Sequence, residues 1–120
     1  MATIDYSNTP DKNISIEKIE ALISIGAGKI VANAVNKIIH YQLSKYKNYI
    51  AQINCDLEKF EKRYGMPTKL FYSQFEAGEL GDKEDFFEWS SLYENVLLFE
   101  KRIQELENLG KNGNSLFTQA

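Results

Sequence analysis

The chain has 120 residues, and 43% of them are hydrophobic. This length and composition indicate one folded domain and exclude a disordered chain. The single cysteine excludes an internal disulfide. There is neither a basic-then-apolar leader nor a run of about 18 apolar residues, so we expect a cytoplasmic protein that does not span a membrane.

The charges are unevenly distributed along the chain. Residues 1–75 carry ten basic and seven acidic side chains, whereas residues 76–109 carry ten acidic and three basic ones, a net charge of −7. This asymmetry leaves two interpretations open. Either two solvated faces pair with each other in a hairpin, or an acidic surface steers a basic partner.

The N-terminal segment 1–13 is polar and has no helical period, so we interpret it as a flexible arm. Apolar and polar residues alternate within residues 2–6, so a short strand is an alternative interpretation of that stretch. From residue 14 to 25 the apolar positions recur at intervals of three and four, which predicts a helix. Gly26 and Gly28 are predicted to end it, because a glycine costs about 1 kcal/mol in a helix interior.

A long helix is predicted over residues 29–64. Its apolar positions follow alternating steps of four and three: Ile39, Leu43, Tyr46, Ile50, Ile53, Leu57, Phe60 and Tyr64. This heptad seam is typical of helices that pack side by side. The helix would be about 54 Å long, whereas a compact chain of this length has a diameter of roughly 35 Å. We therefore expect a homodimer. The predicted dimer seam consists of Leu43, Tyr46, Ile50 and Ile53.

The second half of the chain predicts a short helix and another long one. The short helix, over residues 68–77, is bounded by Gly65 and Gly78, which we expect at positive φ as helix C-caps. Asp82 is a suitable N-cap for a last helix that runs to residue 109 and carries a second heptad seam. Gly110 is predicted to end that helix and to begin a flexible tail, residues 110–120.

Together these elements predict an all-α fold. A long helix, a short elbow helix and a second long helix form an antiparallel helical hairpin over residues 14–109. We expect two such hairpins to dimerise as a bundle or coiled coil, because the first helix is longer than its own chain can cover.

The sequence shows no motif for covalent chemistry. Segment 26–29, Gly-Ala-Gly-Lys, lacks the earlier glycine and the following Ser or Thr of a phosphate-binding loop. His40, the only histidine, has no cysteine or carboxylate at ligand spacing, and Cys55 has no histidine near it in sequence. The acidic residues between 79 and 88 lack the ligand pattern of a calcium loop. We therefore predict a protein that is not an enzyme and holds no metal or cofactor.

The acidic, aromatic-rich start of the last helix is the candidate partner-binding site. Its aromatic side chains are either the core that closes the hairpin or an exposed patch, because two adjacent phenylalanines cannot both face one core. Aromatic anchors usually carry the largest share of an interface's energy, whereas charges mainly steer the encounter. The predicted anchors are Phe86, Phe87 and Tyr93, and the predicted steering charges are Asp82, Asp85 and Glu88.

Three motifs in this region carry a family resemblance. Phe-Glu-x-x-Tyr-Gly-Met occupies residues 60–66, Phe-Glu-x-Gly-Glu-Leu-Gly-Asp residues 75–82, and Asp-Phe-Phe-Glu-Trp residues 85–89. In these motifs the chain resembles a family of small prokaryotic antitoxins from toxin–antitoxin pairs, of the TumA-like kind. The resemblance covers residues 30–108. Pro67 departs from the family, in which a serine cap is usual, so the start of the following helix differs.

The resemblance implies a non-enzymatic protein that binds and neutralises a toxin, often a ribonuclease, encoded beside it. Two other functions remain open: a structural helical homodimer or scaffold, and a DNA-binding autorepressor with a ribbon-helix-helix order at its N-terminus. Against DNA binding, the outward strand positions Thr3, Asp5 and Ser7 carry no base-reading cation and one repelling acid.

Overall fold

Residues 10–118 of the chain fold into four α-helices. The structure, a computed structural model, describes the backbone of residues 10–118 and the side chains of residues 16–111. The helices are α1 (Pro10–Leu22), α2 (Gly28–Tyr64), α3 (Thr68–Glu76) and α4 (Glu84–Thr118), with a π-type turn (Ile23–Ala27) between α1 and α2. No strand occurs within residues 10–118, so the predicted all-α fold is confirmed.

Helices α2 and α4 form the predicted antiparallel hairpin. At the closed end, Tyr64 of α2 donates a hydrogen bond to Asp85 of α4. Farther along, the rings of Tyr46 and Phe99 lie with their centroids 5.3 Å apart. The end of α2, helix α3 and the start of α4 (residues 60–89) form the elbow that closes the hairpin and contains most of its core.

Two glycines end helices as predicted. Gly65 has a φ of 66°, and its N–H donates to the carbonyl of Glu61 over 2.8 Å at the end of α2. Gly78 has a φ of 77°, and its N–H donates to the carbonyl of Phe75 at the end of α3. Only glycine adopts this left-handed backbone without a steric cost, and in this conformation its N–H can bond to one of the last carbonyls of the helix.

Gly26 produces the turn between α1 and α2. Its φ is 102°, whereas Gly28 has a helical φ of −57° and opens α2. The helical interruption that the sequence predicts therefore lies at one glycine rather than two. Kinks of this kind are common at glycines and at π-type turns.

Three helix boundaries differ from the prediction. Helix α1 begins at Pro10 instead of residue 14, because proline suits a first helical turn that needs no N–H donor. Helix α4 begins at Glu84, so Asp82 lies two residues before it in the loop. The alternative of a short strand at residues 2–6, and with it the positions Thr3, Asp5 and Ser7, falls outside the described residues.

The far end of α4 is the third difference. The helix does not end at residue 109 but continues through Gly110 to Thr118, so most of the segment predicted as a flexible tail is helical. A Cβ built on Gly110 would lie 3.8 Å from the Cγ2 atom of Ile39, which places this turn of α4 against α2. Packing along the hairpin outweighs the low helix propensity of glycine here.

The molecule is elongated rather than spherical. Its principal extents are 61 × 40 × 22 Å and its radius of gyration is 20.6 Å, against about 14 Å for a compact domain of this length.

By length and composition alone, the helical stretch Ile16–Tyr64 could cross a membrane, with a mean hydropathy of 1.3 in its most apolar window. The core helix of a soluble protein and a signal sequence satisfy the same criterion.

Candidate partner-binding site

Trp89 is the centre of the elbow core. Its side chain is completely buried and stacks on Phe71 of α3, with ring centroids 3.8 Å apart and an angle of 3° between the planes. On α2, the ring of Phe60 lies 5.5 Å from it in a nearly parallel arrangement. The indole ring of α4 therefore packs against both α2 and α3 and fixes the relative positions of the three elbow helices.

A buried hydrogen-bond chain accompanies this stack. The indole Nε1–H of Trp89 donates to the hydroxyl Oγ1 of Thr68 over 3.0 Å, and the backbone N–H of Thr68 donates to a carboxylate oxygen of Glu61 over 2.8 Å. Glu61 thus caps α3 from a neighbouring helix and replaces the serine cap that Pro67 excludes. Sequence reasoning missed the bond from Trp89 to Thr68 because these two residues are distant in sequence.

Asp85, a predicted steering charge, is half-buried and engaged in the fold. Its carboxylate accepts hydrogen bonds from the Tyr64 hydroxyl over 2.6 Å and from the Arg63 guanidinium over 2.8 Å. These two bonds hold the pKa of the Asp85 carboxyl below its usual value of 3.8, and the bond from Tyr64 is the stronger cause. The residue therefore closes the hairpin and is not a free surface charge.

Phe86, a predicted anchor, belongs to the core. Only 8% of its surface is exposed, and its ring lies 5.2 Å from that of Tyr64 and 5.5 Å from that of Phe71. The prediction of a surface anchor is wrong at this position. Successive side chains on a helix point about 100° apart, so Phe86 and Phe87 cannot face the same direction.

Phe87 is the exposed aromatic side chain of the pair. It keeps 55% of its surface exposed and touches the fold through an edge-on contact with Phe75, with centroids 5.4 Å apart. It lines a shallow depression of about 320 Å³ together with Glu84, Asp85, Glu88 and Ser91. We call Glu84, Phe87, Glu88 and Ser91 the acid–aromatic patch. Their spacing of three, four and seven residues places them on one face of α4.

The remaining predicted contacts lie elsewhere. Asp82 is exposed in the loop before α4. Tyr93 is half-buried about 120° around the helix from Phe87, where its ring packs edge-on against Tyr72 with centroids 4.9 Å apart. Of the six predicted contact residues, the structure therefore brings together Phe87, Asp85 and Glu88 around one depression.

The predicted dimer seam is already occupied by the same chain. Leu43, Tyr46, Ile50 and Ile53 are all half-buried. Ile50 and Ile53 pack against the core cluster, and Tyr46 contacts Phe99 of α4. The buried part of these side chains therefore serves the hairpin, and only their exposed part could contact a second copy.

Side chains with chemical reactivity are scattered in the described part of the chain. No group of three or more histidine, cysteine or acidic side chains that could hold a metal occurs there. His40 and Cys55 are both exposed on α2, fifteen positions apart in sequence.

The comparisons with known proteins add no relative. No protein-family model, curated protein or solved structure matches the chain. The antitoxin resemblance therefore remains a prediction from the three sequence motifs.

Proposed function

We propose that this protein is a non-enzymatic, antitoxin-like protein that binds and neutralises a toxin encoded nearby, such as a ribonuclease, through the acid–aromatic patch. The exposed ring of Phe87, which lines one depression together with the acidic Glu84 and Glu88, is the observation that carries the proposal. The three family-like motifs give the class of partner.

The chemistry of the patch suits a basic protein surface. Nucleic-acid-handling surfaces are positively charged, and the segment that contains the patch has a net charge of −7. Opposite charge speeds the encounter, while an exposed aromatic ring fills a pocket on the partner and slows dissociation. A helix face inserted into a groove is a common mode of such recognition.

The rigid elbow supports this use of the patch. The patch lies on the first two turns of α4, which the stacked ring of Trp89 and the Asp85–Arg63 ion pair fix to α2. An anchor held by rigid structure loses little conformational entropy on binding. The protein would therefore present Phe87 in nearly its bound orientation.

Co-expression with the product of the adjacent gene tests the proposal. We expect the wild type to restore growth to cells that express this product and to co-purify with it. Phe87→Ala should lose both effects, whereas Leu70→Ala, which truncates another exposed apolar side chain on α3, should retain them. Failure of the wild type to protect cells or to capture the product would refute the function.

A second outcome separates the function from the site. If Phe87→Ala protects cells and captures the product as well as the wild type does, the toxin-binding surface lies outside the patch. Phe86→Ala is unsuitable for this test, because it would remove a core side chain and loosen the elbow.

A further inference from the structure

Helix α1 is only partly covered in the single chain. All of its described side chains, residues 16–22, are exposed, including the apolar Ile16, Ile19 and Leu22. The helix has 13 residues, and isolated helices of that length are marginal in water. A partner that packs against this apolar face would supply the missing stabilisation.

The first half of α2 is apolar on two sides. One side, with Val31 and Ile39, is buried. The other side carries Ile30, Ile38 and Tyr41, which remain 72%, 62% and 68% exposed. A hairpin needs only one apolar face for each helix, so this second side is not needed to form the hairpin.

These two surfaces together form what we call the N-terminal apolar face. It consists of Ile16, Ile19, Leu22 and Ile23, followed by Ile30, Ile38 and Tyr41. The seven residues leave on the order of 700 Å² in water, more than the largest patch of a typical monomer and close to the about 800 Å² that each partner buries in a standard interface.

The charges on this face are self-complementary. Lys37 follows Ile30 by seven residues and therefore lies within the apolar side of α2. Glu20 lies on α1, four residues after Ile16, and is also exposed. Each copy thus presents an exposed acid on α1 and an exposed base on α2, so that across a two-fold axis Glu20 of one copy can meet Lys37 of the other.

The same charges disfavour a bilayer as the occupant. A lysine at the centre of a membrane-spanning helix costs about 2.5–3.5 kcal/mol, and Lys29 and Lys37 both lie in the apolar stretch. On an anionic membrane surface, the repulsion of Glu17 and Glu20 would oppose the attraction of Lys29 and Lys37. We propose that the occupant is a second copy of this chain, with α1 of each copy packed on the exposed side of α2 in the other. This inference does not depend on toxin binding.

The dimensions fit this arrangement. Helix α1 is about 20 Å long, and the exposed side of α2 from residue 30 to residue 41 extends over about 17 Å. One α1 therefore covers one such side, and two-fold symmetry covers both copies. The acid–aromatic patch, at the elbow, stays free.

Sedimentation velocity on the full chain tests the dimer. We expect a mass of about 28 kDa, twice the 13.8 kDa of one chain. Ile38→Glu should raise the dissociation constant of the dimer at least tenfold without loss of helical circular dichroism, because the side chain is exposed in the single hairpin. The control Leu70→Glu, at an exposed position on α3, should leave it unchanged.

Charge exchange tests the geometry. Glu20→Lys alone and Lys37→Glu alone should each weaken the homodimer, because both helices of the face then carry the same charge. An equal mixture of the two variants should form a heterodimer of wild-type strength. A folded wild type that stays monomeric at 100 µM, a mixture that does not associate, or a monomer that floats with phosphatidylcholine–phosphatidylglycerol vesicles would each overturn the proposal.

Discussion

At the scale of single residues, the elbow depends on a few contacts that join distant parts of the chain. Thr68 accepts from Trp89 while its own N–H is capped by Glu61, so one small residue connects α2, α3 and α4. Asp85 makes a second connection at the surface of the elbow, to Tyr64 and Arg63. Both contacts combine a charged or polar group with surrounding aromatic rings.

Thr68→Val should destabilise the protein by about 1–3 kcal/mol, because it leaves the buried Nε1–H of Trp89 without an acceptor. Valine keeps the shape of threonine, so the loss would come from the hydroxyl. Denaturant unfolding followed by Trp89 fluorescence measures it. Thr68→Ser, which keeps the acceptor, should be less destabilised, and equal losses in the two variants would contradict the account.

Asp85→Asn should remove a pH-dependent part of the stability. Because the pKa of Asp85 is lowered in the folded protein, its contribution is present above the ordinary value of 3.8 and disappears as the pH falls through the lower folded value. Melting temperatures of the wild type and the variant should differ at pH 7 and converge as the pH falls through the lowered pKa of Asp85. Glu88→Gln, at an exposed position on the same helix, is the control, and its melting temperature at pH 7 should stay close to that of the wild type.

At the scale of helices, the sequence predicts the elements well and their ends less well. Apolar steps of three and four identify α2 and α4, and Gly65 and Gly78 identify the turns, because these signals are local. The continuation of α4 through Gly110 depends on the opposing surface of Ile39, which no local pattern reveals. Glycines therefore have to be judged by their environment as well as by their propensity.

Gly110→Ala and Gly65→Ala should change stability in opposite directions. Gly110 lies inside α4, and an added Cβ would meet only Ile39 at 3.8 Å, so alanine should stabilise by about 0.5–1 kcal/mol. Gly65 has a φ of 66°, and alanine there should destabilise by about 1 kcal/mol or more. Thermal unfolding of both variants measures the contrast. A loss of stability in Gly110→Ala would indicate that α4 ends at this glycine.

At the scale of the whole molecule, the chain separates two surfaces. The elbow carries the acid–aromatic patch, and the opposite end carries the N-terminal apolar face. The sequence predicted the acidic aromatic region, but not which of two adjacent phenylalanines would be exposed. A signal existed: Phe86 shares an apolar stripe with Tyr93 and Leu97, whereas Phe87 has the polar Glu84 and Ser91 at helical spacing.

The dissociation rate of the complex with the adjacent gene product is the most direct test of the proposed anchor. Surface plasmon resonance with the purified product compares the wild type with Phe87→Ala and with the double variant Glu84→Gln and Glu88→Gln. We expect Phe87→Ala to dissociate at least tenfold faster, and the double variant to associate more slowly with a weaker salt dependence. An unchanged dissociation rate in Phe87→Ala, at an unchanged melting temperature, would contradict the account.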